Sequence, residues 1–204
     1  RGSELARVDG VKRTSLVIDP ADGRVPPITQ AARDRNREAM MSFGRYNTVK
    51  DRPMSERCLI GFGSTSGPPM LPVLYNNHYA IAQGRDEVAI QVEMVHDVRL
   101  LRMGGQHEPS SIRKWLGDSV AHWEGETLVV DTLNFRPDQT FRGASPNLLV
   151  TERLTRISAN QILYQFRVED PATFAEPVTG EVAWNLTRDH IYEYACHEGN
   201  YALP

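Results

Sequence analysis

The chain is poor in cysteine, with only Cys58 and Cys196 among its 204 residues. Two thiols so far apart suit one disulfide that closes a long loop, which would stabilise the fold by roughly 4–5 kcal/mol. Such a bridge would indicate a secreted or periplasmic bacterial protein, whereas the alternative is two buried free thiols in a cytosolic one. Nothing in the flanks of Cys196 indicates a reactive catalytic thiol.

Other absences exclude whole classes of protein. No apolar run approaches the roughly 18 residues of a membrane helix, so no membrane span is predicted. Lys and Arg form no basic block, and nucleic acid is not an expected partner. Residues 61–72 are rich in Gly, Ser and Pro but lack the Gly-Lys-Ser/Thr ending of a phosphate-binding loop, which favours an irregular connection. The chain has no Gly-x-Ser-x-Gly motif, and no serine stands out as a nucleophile.

What is present describes an ordinary globular protein. With 40% apolar residues, 24% charged residues and a formal net charge of −3, the chain is long enough for one well-buried core or two small ones. We expect an N-terminal extension over residues 1–74 and a β domain over residues 75–204, together forming one structural unit. The opening Arg1-Gly2-Ser3, without an initiator Met, is typical of a processed, trimmed or tagged product.

The N-terminal part predicts short elements. Residues 14–19 have the composition of a strand that Pro20 stops. Thr29 is a suitable N-cap for a surface helix that ends at about Phe43. Residues 51–59 predict a second short helix, with a proline in its first turn.

Beyond residue 75 the pattern predicts strands. Four strand–turn–strand units with short polar turns indicate an antiparallel meander, and no helical stretch separates them as a parallel sheet would require. Closure would remove exposed sheet edges, so we predict a mainly β fold: an antiparallel, calycin-like barrel or a strongly curved sheet, with one or two N-terminal helices. The paired segments are residues 79–83 with 87–103, 122–123 with 127–135, 148–157 with 161–169, and 181–187 with 191–196.

Residues 87–102, read as one strand, place chemistry-bearing side chains on defined faces. Glu93, Asp97 and Arg99 share one face, and His96 lies among apolar neighbours on the other. The polar face is either a solvated exterior or an interior lining, where Arg99 would keep one carboxylate ionised while repulsion raises the pKa of the other. Such a pair performs acid/base catalysis at neutral pH. His96 is either a core histidine or a base, and a β-bulge near residues 95–97 would turn it to the side of Asp97.

The C-terminal residues 191–201 concentrate three tyrosines, two glutamates, a thiol and an imidazole. His197 and His96, with a carboxylate such as Glu93, would supply the ligand set of many zinc and iron sites, although no local His-x-x-x-His signature is present. The alternatives are an acid/base cluster without a metal and a purely structural role. The predicted cofactor is therefore either none or a single divalent metal.

Residues 74–79 form a further polar patch. Tyr75, Asn76, Asn77, His78 and Tyr79 would form either a hydrogen-bonding site or a turn, since Asn tolerates left-handed backbone and bonds locally. Four aromatic side chains would either line a cavity or pack in the core: Trp115, Trp123, Trp184 and Phe174.

Several stretches together resemble a large family of exported, mostly hypothetical proteins that is common in acidobacteria and proteobacteria. They include EMVHDVR at residues 93–99, WEGETLVVDTLNF at residues 123–135 and YEYACHEGNY at residues 192–201. The resemblance covers nearly the whole chain. It implies an exported protein with a Cys58–Cys196 bridge, and the chain is similar to the mature or trimmed C-terminal part of members that begin with a signal peptide. Its motifs contain six residues already marked by their chemistry: Glu93, His96, Asp97, Arg99, His197 and Glu198.

These residues predict an exported enzyme that acts on a small organic molecule in a barrel-mouth pocket, as a hydrolase, lyase or isomerase. His96 paired with Asp97 would be the general base, and Glu93 or the His197-Glu198 pair would be the acid. The alternatives are a periplasmic carrier that binds a small molecule without transforming it and a structural protein of the cell envelope. The predicted substrate-binding residues are Arg99, Asn76, Asn77, Tyr75 and Tyr194.

Overall fold

The computed structural model describes residues 6–61, 65–138, 141–198 and 200–201. These residues form one α-helix and eleven strands, with three 3₁₀ turns at Val49–Asp51, Met94–His96 and Phe141–Gly143. In chain order the elements are β1 Arg7–Val8, β2 Val11–Lys12, β3 Val17–Asp19, α1 Gln30–Ser42, β4 Tyr79–Gln83, β5 Glu87–Val92, β6 Val98–Met103, β7 Asp118–Glu124, β8 Thr127–Leu133, β9 Leu149–Ser158, β10 Gln161–Glu169 and β11 Val178–Asn185.

Nine of the strands form one sheet in the order β3-β11-β10-β9-β8-β7-β6-β5-β4, while β1 and β2 pair separately. The neighbours are antiparallel except for β6 and β7, which run parallel with Leu101 opposite Ser119. The predicted mainly β fold is confirmed, but the uninterrupted antiparallel meander is wrong at this point. A parallel pair needs a long crossover, and residues 104–117 supply it.

The sheet curls until its two ends approach each other. The ring centroids of Tyr79 in β4 and Trp184 in β11 lie 4.9 Å apart, although six strands separate these two in the sheet order. Both side chains pack against the same buried core. Among the described residues no hydrogen-bonded pairing joins β3 to β4, so the sheet has two edges and its strands do not close into a barrel.

The N-terminal elements agree in part with the prediction. The hydroxyl of Thr29 accepts a hydrogen bond from the Ala32 N–H and caps α1, whose C-cap is Phe43. The predicted helix over residues 51–59 is wrong. Arg52 has extended backbone, because the ring of the following Pro53 disfavours the helical conformation there.

The predicted single strand over residues 87–103 is also wrong. It is an antiparallel hairpin of β5 and β6, and the chain reverses at the 3₁₀ turn, where Val95 and His96 have positive φ angles of 57° and 45°. The Val92 N–H donates to the Asp97 carbonyl at 2.8 Å and closes this turn. Residues 191–196, predicted as a strand, form an extended tail outside the sheet. Because neither segment forms the predicted strand, different side chains come into contact from those expected.

A buried segment fills the inner side of the curled sheet. Residues 65–70 are almost entirely buried, and the Met70 N–H donates to the Tyr164 hydroxyl at 2.8 Å. The Tyr79 hydroxyl donates to the Thr65 carbonyl at 3.2 Å. The connection is irregular, as predicted, but its position inside the sheet removes the open interior that a ligand-binding barrel would need. No helix within the described ranges has the length and apolarity to cross a membrane.

Candidate functional site

The disulfide between Cys58 and Cys196 is present, as predicted, with the two Cα atoms 5.8 Å apart and a sequence separation of 138. It ties the C-terminal tail to the loop before residue 60. The Asn200 amide reinforces the tie by donating to the Glu56 carbonyl at 2.7 Å. The bridge therefore fixes a segment that would otherwise fray, since chain ends are ordered only when contacts hold them.

The tied tail meets the loop at residues 74–78 and encloses an open recess of about 450 Å³. Three residues from separately predicted clusters line it together: Asn76, Tyr194 and Glu198. Burial raises the pKa of the Tyr194 hydroxyl, and a hydrogen bond with Tyr75 adds to this effect. The tyrosine therefore remains a protonated donor at neutral pH, beside the carboxylate of Glu193 in the same wall.

The same two segments also meet at a carboxylate–imidazole pair. The Glu93 side chain is 4% exposed, and its Oε2 lies 2.8 Å from Nδ1 of His78, whose side chain is 37% exposed. The other carboxylate oxygen, Oε1, accepts the Tyr192 backbone N–H at 3.2 Å. The Glu93 N–H also donates to the His78 carbonyl at 3.0 Å, so backbone and side chain hold the pair in one geometry.

Strand register explains why these two residues meet. In the antiparallel pair β4–β5, Tyr79 lies opposite Val92, and one step beyond the strands His78 lies opposite Glu93. The predicted hairpin did not contain this register, because its three-residue turn would pair Gln83 with Glu87, whereas the structure pairs Gln83 with Val88. Sequence reasoning placed His78 in a polar patch and Glu93 in a catalytic set, but it did not connect them.

The pair has the arrangement of an oriented base. With the carboxylate ionised, Nδ1–H of His78 donates to Glu93, which fixes the imidazole tautomer and leaves Nε2 with its lone pair. Within the described ranges, Nε2 makes no hydrogen bond. A buried carboxylate that orients an imidazole in this way stabilises the imidazolium formed when Nε2 takes a proton.

The predicted pair of His96 and Asp97 is arranged differently. His96 is exposed, so its interpretation as a core histidine is wrong, and no hydrogen bond joins its ring to Asp97. Asp97 is half-buried and accepts the Gly61 N–H at 3.3 Å. Burial raises the pKa of Asp97, while this hydrogen bond and the neighbouring His96 oppose the rise.

Arg99 lies in the interior and does not face a substrate. Its guanidinium makes two hydrogen bonds to the Glu152 carboxylate, at 2.9 and 2.7 Å, and both side chains are at most 2% exposed. Burial acts to lower the pKa of Arg99, but the charge and hydrogen bonds of Glu152 outweigh it and raise the pKa. The Tyr164 hydroxyl also donates to Glu152, at 2.6 Å. The structure gives no support to the prediction that Arg99 holds a substrate oxygen, because its side chain is buried and its Nη1 and Nη2 groups donate to Glu152.

The other predicted site residues stabilise a turn or are exposed to solvent. The Asn77 side chain bonds both the N–H and the carbonyl of Val73 at 2.8 Å, which is turn chemistry. His197 is exposed, and it is not among the residues that line the recess. Across the described ranges, no three His, Cys, Asp or Glu side chains converge to hold a metal ion, so the geometry lends no support to a metal set of His96, His197 and Glu93.

The four aromatic residues separate into different environments. Phe174 is buried, and Trp184 stacks on Tyr164 with ring centroids 4.6 Å apart, so both belong to the core. Trp123 is 47% exposed on β7. Only Trp115 lines one of the larger cavities, as the cavity-wall interpretation required.

Sequence reasoning also missed the buried carboxylate of Asp118. It accepts hydrogen bonds from Arg102, from Lys114 at 2.9 Å and from the Glu108 N–H at 3.0 Å, and its Oδ2 lies 3.1 Å from Nδ1 of His107. Burial would raise the pKa of Asp118, but the hydrogen bonds from Lys114, Glu108 and His107 outweigh it and lower the pKa to about 2. The sequence spacing of Lys114 and Asp118 was the signal from which this ion pair could have been predicted, although neither residue lies in a helix.

Comparisons of the chain with protein-family models, with curated proteins and with solved structures found no match. His78 and Glu93 do not themselves line the recess, which reaches Asn76, two residues before His78 in the chain.

Proposed function

We propose that this protein is an exported enzyme that transfers protons on a small polar molecule, with His78 as the general base and Glu93 as the residue that orients it. The observation that carries this proposal is the 2.8 Å contact between Nδ1 of His78 and the buried Glu93 carboxylate. The pair replaces His96 and Asp97, which are not hydrogen-bonded to each other. His78 would abstract a proton at Nε2, and Glu93 would remain ionised.

The recess supplies the groups that would hold the substrate. The Asn76 amide would donate a hydrogen bond to a carbonyl or alkoxide oxygen as charge develops on it, and the Tyr194 hydroxyl, which is hydrogen-bonded to Tyr75, would lie in the wall of the same site. The carboxylates of Glu56, Glu193 and Glu198 favour a substrate that carries hydroxyl or ammonium groups. Hydrolysis, elimination and isomerisation each need such a base and such an oxygen site.

The location and the finer fold belong to the same proposal. The Cys58–Cys196 disulfide supports an oxidising compartment such as the periplasm, and the family resemblance supports export. The contact between Tyr79 and Trp184 supports a calycin-like barrel that side chains close in place of hydrogen bonds. The active site would then lie at the edge of that barrel, where the disulfide holds the tail.

The test uses a mixture of small polar metabolites incubated with the protein and followed by nuclear magnetic resonance. We expect at least one compound to be converted, and His78→Gln to slow the conversion by roughly 100-fold or more while binding is retained. His96→Gln is the matched control, since it removes an exposed imidazole from the adjacent turn. Full conversion by His78→Gln would rule out the base assignment.

The second candidate is a carrier that binds its ligand in the same recess without turnover. The hydrogen-bonding lining of the recess favours it, because Asn76, Tyr194 and the nearby carboxylates would hold a polar ligand even without a base. A compound that binds and is never converted, with an affinity that His78→Gln changes and a structure that remains intact, would identify the carrier.

A further inference from the structure

A larger cleft lies apart from the His78–Glu93 pair. It has a volume of about 720 Å³, which is in the range of small-molecule sites. Most of the side chains that line it are apolar and include the rings of Trp115, Phe135 and Phe141, although polar atoms contribute nearly half of the lining surface. Prolines form other parts of the wall, and their fixed backbone angles favour a preformed shape. Neither His78 nor Glu93 lines it.

One charge faces this apolar space. Of the residues described around the cleft, Arg142 is the only one that carries a charge. Its guanidinium lies 5.5 Å from the ring centroid of Phe141 and, within the described ranges, forms no hydrogen bond or ion pair. Arg142 is exposed at the mouth of the cleft, whereas Arg99 is buried and is neutralised by a carboxylate. Arg142 therefore offers an uncompensated cation to a ligand in the cleft.

The backbone holds Arg142 in an unusual conformation. Its φ angle is 51° and that of Gly143 is 76°, both in the left-handed region, where residues other than glycine are rare. Helix α1 supports this turn: Arg35 donates to the Gly143 carbonyl at 3.5 Å, and a side chain at Gly143 would collide with Asn36. The helix thus packs against the segment that presents the guanidinium.

We propose that this cleft binds one small amphipathic anion, with its flat apolar body against Trp115, Phe135 and Phe141 and its carboxylate or sulfonate group at Arg142. Apolar walls bury the body of the ligand, and the unpaired guanidinium selects its charge. A neutral molecule of the same shape would bind through the apolar part alone. The cleft adjoins the recess, since Ser55 lines both, but it contains neither the base His78 nor its carboxylate partner Glu93.

The test compares two fluorescent probes of similar shape: the anion 8-anilinonaphthalene-1-sulfonate and the neutral N-phenyl-1-naphthylamine. We expect both to bind the folded protein with a stoichiometry of one, and Arg142→Gln to weaken binding of the anion by roughly fivefold while leaving the neutral probe unchanged. Arg85→Gln in the exposed turn between β4 and β5 is the control and should change neither affinity. Met54→Trp, which fills part of the cleft, should weaken both probes.

Three results would overturn the proposal: no saturable binding of either probe, an Arg142→Gln variant that binds the anion as tightly as the wild type, or an equal loss in Arg85→Gln. Circular dichroism of each variant ensures that probe binding reports a folded protein. If Met54→Trp does not fold, the comparison of Arg142→Gln with Arg85→Gln decides the matter. His78→Gln should leave binding of both probes intact, which separates this site from the proposed active site.

Discussion

Glu152 and Glu93 are both buried carboxylates of the same fold, but their partners differ. Glu152 is paired with Arg99, and neither side chain is more than 2% exposed. Glu93 is paired with His78, which is 37% exposed while its carboxylate partner is only 4% exposed. One pair is enclosed by the sheet, and the other opens to solvent on the imidazole side.

The difference between the two pairs shows which one is suited to proton transfer. Arg99 does not release a proton near neutral pH, and its Nη1 and Nη2 groups donate to Glu152. The imidazole of His78 has a second nitrogen, Nε2, that makes no hydrogen bond within the described residues and is able to accept a proton. The Arg99–Glu152 pair is a structural contact of the interior, whereas the His78–Glu93 pair is able to exchange a proton with a bound molecule.

The largest expected effect comes from breaking the enclosed pair. Arg99→Met should lower the free energy of unfolding by about 3–5 kcal/mol, because Glu152 would be left as an uncompensated buried charge. Urea unfolding followed by circular dichroism measures this loss, with Arg85→Met as an exposed control. A loss below about 1 kcal/mol would show that the interior tolerates the lone carboxylate and that the contrast between the two pairs is wrong.

The buried carboxylate of Asp118 adds a test of stability against pH to this comparison. Its pKa is about 2 in the folded protein and near its ordinary value of 3.8 in the unfolded chain, so it stabilises the fold above about pH 4, and this contribution is lost as pH falls toward 2. The loss should be about 2 kcal/mol. Asp118→Asn should remove this part of the pH dependence, whereas Asp86→Asn in an exposed turn should retain it. An unchanged profile in Asp118→Asn would contradict the assignment.

The smallest effect on stability is expected at the half-open pair. His78→Gln should lower the free energy of unfolding by about 1 kcal/mol or less, since the Tyr192 N–H still donates to Glu93 and the new amide is able to replace the imidazole donor. The same unfolding experiment measures it. A loss of 3 kcal/mol or more would make this pair structural, like Arg99–Glu152, and would weaken the enzyme proposal.

Much of the local structure could be predicted because it depends on neighbouring residues. Thr29 caps α1 as its side chain suggested, and the hairpin of β9 and β10 matches its predicted strands within one residue. The disulfide was also predictable, since only two cysteines were present. Capping, strand patterning and turns are short-range effects, and the sequence displays them directly.

The site was less predictable, because one turn decided it. The apolar residues Met94 and Val95 continue a strand pattern, yet the chain reverses there and both are buried against the core. If the strand alternation of side chains is continued across this turn, the residues after Glu93 are therefore assigned to the wrong faces of the sheet. His96 became exposed for this reason, and Arg99 entered the interior to meet Glu152, a residue 53 positions away that no local pattern connects to it.

The sequence by itself determined the short-range features: the mainly β class, the helix and its cap, the bridging cysteines and the residue types available for proton transfer. Only the tertiary structure decided which of these residues meet. Register placed His78 against Glu93, and the disulfide-held tail gave that carboxylate its backbone donor at Tyr192. The physical reason is that a side chain's charge, burial and partners depend on contacts between distant segments, which form only when the sheet curls and the tail is tied down.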